Sequence, residues 1–151
     1  MGLAFAKHLA VNFQAKLILL TRKPLPTGEA AKLWLAEHDE NDATSIKIIA
    51  VEELKTLGAK EVHVIAVDVS DLGAMEKVKQ TLDTQFDDIQ GVIHAAGVPG
   101  GGIVANLDKP GIEDVFSSKV QGTWVLGHIF ADQTLDFMIL CSSLTSFINR
   151  P

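Results

Sequence analysis

Four short apolar runs constrain this chain more than any other feature: "KLILL" at 16–20, "VHVIAVDV" at 62–69, "GVIHAAG" at 91–97 and "LDFMILCSS" at 135–143. A strand with one wet face alternates apolar and polar residues. A run that is apolar nearly throughout suits a parallel strand buried on both faces. The stretches between the runs have the helical period. Leu72, Met75, Val78, Leu82 and Phe86 recur at 3- and 4-residue steps, with Ser70 or Asp71 available as a cap. Ile112, Val115, Phe116, Val120, Thr123, Trp124 and Gly127 form a second stripe; Ile46, Ile49, Ala50, Leu54 and Leu57 form a third that Gly58 can stop. Two more helices are expected, one over Glu29–His38 that breaks at the polar "HDENDA" and one from Gly2 to about Phe13.

The predicted order is α-β-α-β-α-β-α-β. Strand–helix alternation of this kind means a parallel sheet with right-handed crossovers, an α/β fold of the Rossmann-like, doubly wound type. Such a sheet begins with a strand and a glycine-rich turn, whereas this sequence begins with a helix. The expectation is one domain over 1–151 that is incomplete at both ends, with its first strand lying ahead of Met1 and its C-terminal part beyond Pro151. Gly2 would then be the last glycine of a G-x-G-x-x-G turn. The loop "RKPLPTGE" at 22–29 is the expected linker.

Composition narrows the function classes. With 151 residues, 47% of them hydrophobic, the chain can bury a sizeable core. A formal charge of −6 opposes nucleic-acid binding, which needs a basic face. No apolar run approaches the roughly 18 residues of a membrane span, and Lys7, His8 and Asn12 break up the first helix too much for a secretory signal. The single cysteine, Cys141, excludes an internal disulfide and reads as a small core residue on an apolar strand. A cytoplasmic protein is expected. His8, His38, His63 and His128 have no ligand spacing, and no metal site is expected.

Several residues at the ends of the predicted strands carry chemistry, each against a plainer reading. Gly2 could frame a phosphate-binding turn or simply be a flexible glycine. The second strand of a dinucleotide fold ends in an acid when the ribose 2′-hydroxyl is free, and has an arginine nearby when a 2′-phosphate is bound. Here that place holds Thr21, Arg22 and Lys23, with no acid. The guanidinium suits a bidentate phosphate grip; the alternative is a solvated basic pair. Asp68 and Val69 could meet an adenine edge, while Ser70 and Asp71 cap the next helix. Ala95, Ala96 and Gly97 have almost no side chain, so a flat ligand could lie against the backbone, or the segment could be a tight turn. His94 invites a catalytic reading, but its position on a strand favours a packed core histidine. Lys119, inside a helical stripe, would by itself be read as solvated.

In this order the motifs resemble the short-chain dehydrogenase/reductase superfamily, and within it the ketoreductase domain of polyketide synthases. "LILLTRK" is similar to that family's "LVLLSR"; "VDVSD" and "GVIHAAGV" are close to verbatim; "KVQGTWVL" is similar to "KVDGTWNL", and "LDFMILCSSL" to "LDFFVLFSSV". The resemblance implies that Ser143 holds the substrate carbonyl oxygen and that Lys119 is the active-site lysine. It also implies that Arg22 meets the 2′-phosphate of NADP(H), that Asp68 and Val69 meet its adenine, and that Ala95, Ala96 and Gly97 line the cofactor. The implied substrate is an acyl-carrier-bound β-keto thioester, and the implied partners are other domains of a multienzyme. The family's proton-donating tyrosine has no counterpart, since the chain contains no tyrosine. Residues 1–151 alone are therefore expected to be inactive. Where the family often has "LDD", Pro99, Gly100 and Gly101 stand instead, which leaves the stereochemistry open. A non-catalytic scaffold of the same fold is the main alternative. A methyltransferase with a similar sheet is opposed by Arg22 and Lys23, which stand where it would need an acid.

Overall fold

The computed structural model describes residues 1–86, 88–98 and 108–142. The chain divides into two compact units, Met1–Asp68 and Val69–Pro151. The division falls after Asp68 and not in the loop 22–29, which lies within the first unit. Its cause is local pairing: each unit holds two strands that bond only to each other among the described residues.

In the first unit the order is α1 (Gly2–Phe13), β1 (Lys16–Thr21), α2 (Gly28–Glu37), α3 (Ala43–Thr56) and β2 (Glu61–Ala66). The opening helix ends in an αL residue, Gln14, at φ 49°, whose N–H returns to the carbonyls of Leu9 and Ala10. That turn leads straight into β1. β1 and β2 run parallel, in register from Lys16↔Glu61 to Thr21↔Ala66. Parallel strands need a long crossover, and α2 and α3 supply it. Asp42 starts α3 by accepting the N–H groups of Thr44 and Ser45 at 2.8 and 3.0 Å. Ala6, Ala10, Leu17 and Leu54 form the core of this unit, with Leu3, Leu9, Leu19 and Val62 packed around it. Complete burial of a side chain such as Leu54 contributes about 1.5–3 kcal/mol.

In the second unit the order is α4 (Leu72–Gln85), β3 (Gly91–His94), α5 (Lys109–Phe116), a π-helical turn over Ser117–Gln121, α6 (Gly122–Ile129) and β4 (Phe137–Leu140). Asp71, not Ser70, caps α4 through the N–H of Ala74 at 3.0 Å. Asp108 caps α5 through Gly111 N–H, with Pro110 in the first turn, where its missing donor is not needed. Met75, Val78 and Leu82 bury one face of α4, and Val125 and Leu126 bury one face of α6. β3 and β4 pair in parallel from Gly91↔Phe137 to His94↔Leu140.

Three expectations change. The strands are shorter than the apolar runs, because Val67–Val69, Ala95–Gly97 and Leu135–Asp136 lie beyond the paired ladders. The stripe from Ile112 to Gly127 is not one helix but two, joined by the π-turn. β4, expected to be buried on both faces, is exposed at all four residues, and Cys141 beside it is half-buried. Burial on both faces needs a packed layer on each, and the described residues do not complete those layers around β4. A doubly wound sheet joins such strand pairs through a central strand; no described residue supplies one, and the sheet is incomplete.

Gly91 tests the β3–β4 pairing. A Cβ there would run into the Phe137 ring directly across the ladder. Gly91→Ala should force the ring to swing aside. Because Phe137 is 38% exposed and has room to move, the loss should be about 1 kcal/mol, at the low end for overpacking. Denaturant unfolding followed by Trp124 fluorescence measures it; an unchanged midpoint would mean that the ring does not lie over Gly91.

Candidate functional site

The first unit gathers five of the sequence-selected residues at one edge. Because β1 and β2 are parallel and in register, their C-terminal ends coincide. Val67 N–H donates to Thr21 O at 2.8 Å, carrying the pairing one bond past the ladder. Arg22 and Lys23 leave β1 at this edge and Asp68 leaves β2 there. Thr21 Oγ1 donates to Lys23 O at 2.8 Å, which turns the chain outward as β1 ends. Arg22 and Lys23 are exposed and form no ion pair among the described residues. α1 returns antiparallel to β1 through a two-residue link. Twelve helical residues rise about 18 Å and six strand residues about 20 Å, so Gly2 begins α1 near this same edge. In its first turn Ala4 N–H bonds back to Met1 O at 2.9 Å.

The second unit gathers the remainder around the end of β3. Ala95, Ala96 and Gly97 follow His94 in open, partly or fully exposed backbone. The Lys119 side chain lies along this segment: a Cβ on Gly97 would stand 3.2 Å from Lys119 Cε and 4.0 Å from its Cγ. A side chain at 97 would therefore press on the lysine stem, which is a reason for glycine there. Lys119 Nζ makes no ion pair or hydrogen bond among the described residues, so its charge is available. Val69 is buried against the start of α6, where a Cβ on Gly122 would approach Val69 Cγ1 to 2.9 Å. Ser142 is exposed just past β4. Ser143 and the 99–102 part of the glycine-rich turn lie outside the described residues.

His94 is buried, as a packed core histidine should be, yet its ring is engaged: Nε2 bonds Ser118 O at 3.0 Å. A carbonyl only accepts, so Nε2 carries the hydrogen. Burial pushes the imidazole pKa below its ordinary value, and the bond to Ser118 opposes that in part. The sequence reading missed this bond and the π-turn it reaches. The signal was "SSKVQG": two serines and a glycine inside an apolar helical stripe are weak helix formers.

Among the described residues no group of three or more His, Cys, Asp or Glu could hold a metal ion, and no helix is long and apolar enough to cross a membrane.

Over residues 1–151 the sequence matches the model of the KR domain. The chain belongs to that family, the ketoreductase domains of polyketide synthases within the short-chain dehydrogenase/reductase superfamily. These are oxidoreductases that depend on a nicotinamide cofactor. A 6-methylsalicylic acid synthase of Arthrobotrys oligospora is 35% identical over 152 residues, covering 100% of this chain and 8% of that protein. Polyketide synthase PksM of Bacillus subtilis is 32% identical over 148 residues, covering 98% of this chain and 3% of that protein. The chain thus spans under a tenth of the length of these relatives. Among solved structures, an N-terminal ketoreductase from the macrolactin assembly line superposes with a TM-score of 0.76 at 26% identity, covering 96% of this chain and 26% of that one.

His94 makes stability pH-dependent with a defined sign. Its folded pKa is depressed, so the unfolded imidazole, near 6.5, takes up a proton more readily. Proton uptake then favours unfolding. The contribution of the neutral ring is complete above 6.5 and is lost as the pH falls from there through the depressed value. Denaturant midpoints between about pH 8 and pH 5 should fall less steeply in His94→Gln than in the wild type. Parallel slopes would show that the ring titrates as it does in the unfolded chain.

Proposed function

We propose that these residues form part of an NADPH-dependent β-ketoacyl reductase that reduces a β-keto thioester, carried on an acyl-carrier domain of the same multienzyme, to the β-hydroxy thioester. The observation that carries this reading is the passage of Lys119 across Gly97 at the end of β3. It sets a lysine at the exit of β3, where Ala95, Ala96 and Gly97 add almost no side chain of their own.

The residues fit the cofactor. Ala95, Ala96 and Gly97 leave no side chain in the way of a nicotinamide. At the edge of the first unit, Arg22 offers a planar guanidinium without an ion-pair partner among the described residues, Lys23 adds a second positive charge, and Thr21 holds the turn between them. Gly2, at the start of α1, would face the phosphate oxygens across a helix N-terminus. Asp68 and Val69 would flank the adenine. When bound, NADPH would supply the hydride.

The chain's own residues orient and polarise. Ser143 would donate a hydrogen bond to the ketone oxygen as that oxygen gains negative charge. Lys119 would lower the pKa of the group that protonates the alkoxide and hold it in place. That group is not a tyrosine of these residues, since the sequence has none.

Cofactor choice tests the reading. A hydrogen bond to a charged group is worth roughly 1.5–3 kcal/mol, so Arg22→Ala should lower kcat/KM for NADPH about ten- to a hundredfold. The lower end is expected, because Lys23 compensates in part. NADH use should hardly change. The measurement is kcat/KM for both cofactors in the full-length protein; equal losses for the two would mean that Arg22 supports the loop and does not read the phosphate.

A further inference from the structure

The π-turn at Ser117–Gln121 is an uncommon structure, and it sits where Lys119 leaves the helix. One extra residue in a turn breaks the α-helical bonding, here by sending Gly122 N–H back to Ser117 O. Such turns are rare and short, and they need support from outside the helix ladder. Here side chains give that support. Ser118 Oγ donates to the carbonyls of Asp114 and Val115, each at 3.2 Å. Thr123 Oγ1 donates to Lys119 O. Ser117 Oγ donates to Ser70 Oγ at 2.8 Å. The remaining contact comes from β3, as His94 Nε2–H donates to Ser118 O.

The space for that ring is made at Gly122, where a Cβ would stand 3.3 Å from His94 Cε1 and 3.4 Å from Nε2. The turn brings two neighbouring residues to the inner side: Ser118 is buried and Lys119 half-buried, while Val120 and Gln121 are exposed. Ser118 is thus held by β3 at its carbonyl, and the next residue extends its side chain over Gly97, three residues past His94 on that same strand's exit. The strand end and the lysine are tied at a single point.

We propose that His94 is the positioning residue for Lys119: its bond to Ser118 O fixes the π-turn so that the lysine stem crosses Gly97. This rests on the reading of Lys119 as the active-site lysine. His94 touches neither substrate nor cofactor in this account and acts only through the turn.

The test compares His94→Leu, His94→Gln and Lys119→Met in the full-length protein, by ketone reduction with NADPH across pH and by thermal unfolding. Glutamine keeps an N–H donor at nearly the reach of Nε2; leucine removes it. His94→Leu should lower kcat at least about tenfold, part of the roughly 10²–10⁴ that general acid–base assistance provides, and leave the KM for NADPH within about twofold. The alkaline limb of the rate profile should also move, because Lys119 no longer sits beside the acid. His94→Gln should recover most of the rate and the profile. A histidine that only fills the core would change the unfolding midpoint and leave the profile of the folded enzyme alone, and that result overturns the proposal. So does a His94→Gln variant as impaired as His94→Leu.

If His94→Leu does not fold, ¹⁵N spectra of the wild-type imidazole decide the bond itself: hydrogen on Nε2 supports it, and hydrogen on Nδ1 with a bare Nε2 overturns it. Lys119→Met separates the two readings. Loss of activity there with His94→Leu unaffected removes only the role of His94. Retention of activity in Lys119→Met removes the lysine reading and the positioning role together.

Discussion

Parallel pairing is the constraint on which everything else in this chain depends. Two parallel neighbours cannot be joined by a tight turn, so the chain must leave one strand end and return to the other strand's start. In each unit helices make that return: α2 and α3 between β1 and β2, α5 and α6 between β3 and β4. Two consequences follow from direction alone. The crossovers bury Ile48, Ala50 and Leu54 in one unit and Val125 and Leu126 in the other, while Ile46, Ile49, Ile112, Phe116, Val120 and Trp124 of the expected stripes stay exposed. The C-terminal ends of paired strands coincide, so residues far apart in sequence, such as Arg22 and Asp68, leave one edge together. Ligand sites at strand C-termini are the general habit of open α/β sheets, and the register of β1 with β2 brings Arg22 and Asp68 to such an edge.

The second constraint is local and opposes regular structure. The Ile112–Gly127 stripe is long enough for one continuous helix, and its hydrophobic period is intact. A continuous helix would leave no reason for Ser117, Ser118 and Gly122, each of which is worse than alanine in a helix interior. Each has a partner in the interrupted form: Ser117 with Ser70, Ser118 with the carbonyls a turn back, and Gly122 with the space for Val69 and His94. Local propensity and tertiary contact therefore agree on the interruption. An expectation built on hydrophobic period alone does not register it, because the period survives on both sides of the break.

That difference explains what was legible in the sequence. Some helix limits were: α1 runs from Gly2 to Phe13 as read, and Asp71, one of the two caps read for α4, starts that helix because capping is local chemistry. The strand positions were legible as apolar runs, but their ends were not, because Val67 and Val69 are as apolar as the ladder residues and leave it all the same. Residues sharing the β1–β2 edge could be inferred from parallel direction. The meeting of Lys119 with Gly97 could not, since it depends on a turn whose geometry is set by His94. Nor could the exposure of Phe137–Leu140, which depends on what packs against β4 and not on the chemistry of the run.

The chain is acidic overall, at −6, and many of its lysines are occupied. Lys7 pairs with Glu53, Lys16 with Glu61, Lys32 with Glu29, Lys55 with Glu52 and Lys79 with Asp83. Such surface pairs contribute little stability, with a median near 0–1 kcal/mol, but they remove the cations from competition for anions. Arg22, Lys23 and Lys119 have no such partner among the described residues. An acidic surface repels nucleic acid on approach, over a range that salt limits to roughly 8–10 Å. At contact distance the unpaired cations are what a small anionic ligand meets. A molecule with one or two phosphates gains from the local cations while presenting too little charge to be excluded by the whole. An acidic overall charge is therefore compatible with local cations at Arg22, Lys23 and Lys119, whose place at strand ends and in the π-turn, and not their lack of ion pairs alone, sets them apart from Lys47, Lys60 and Lys77.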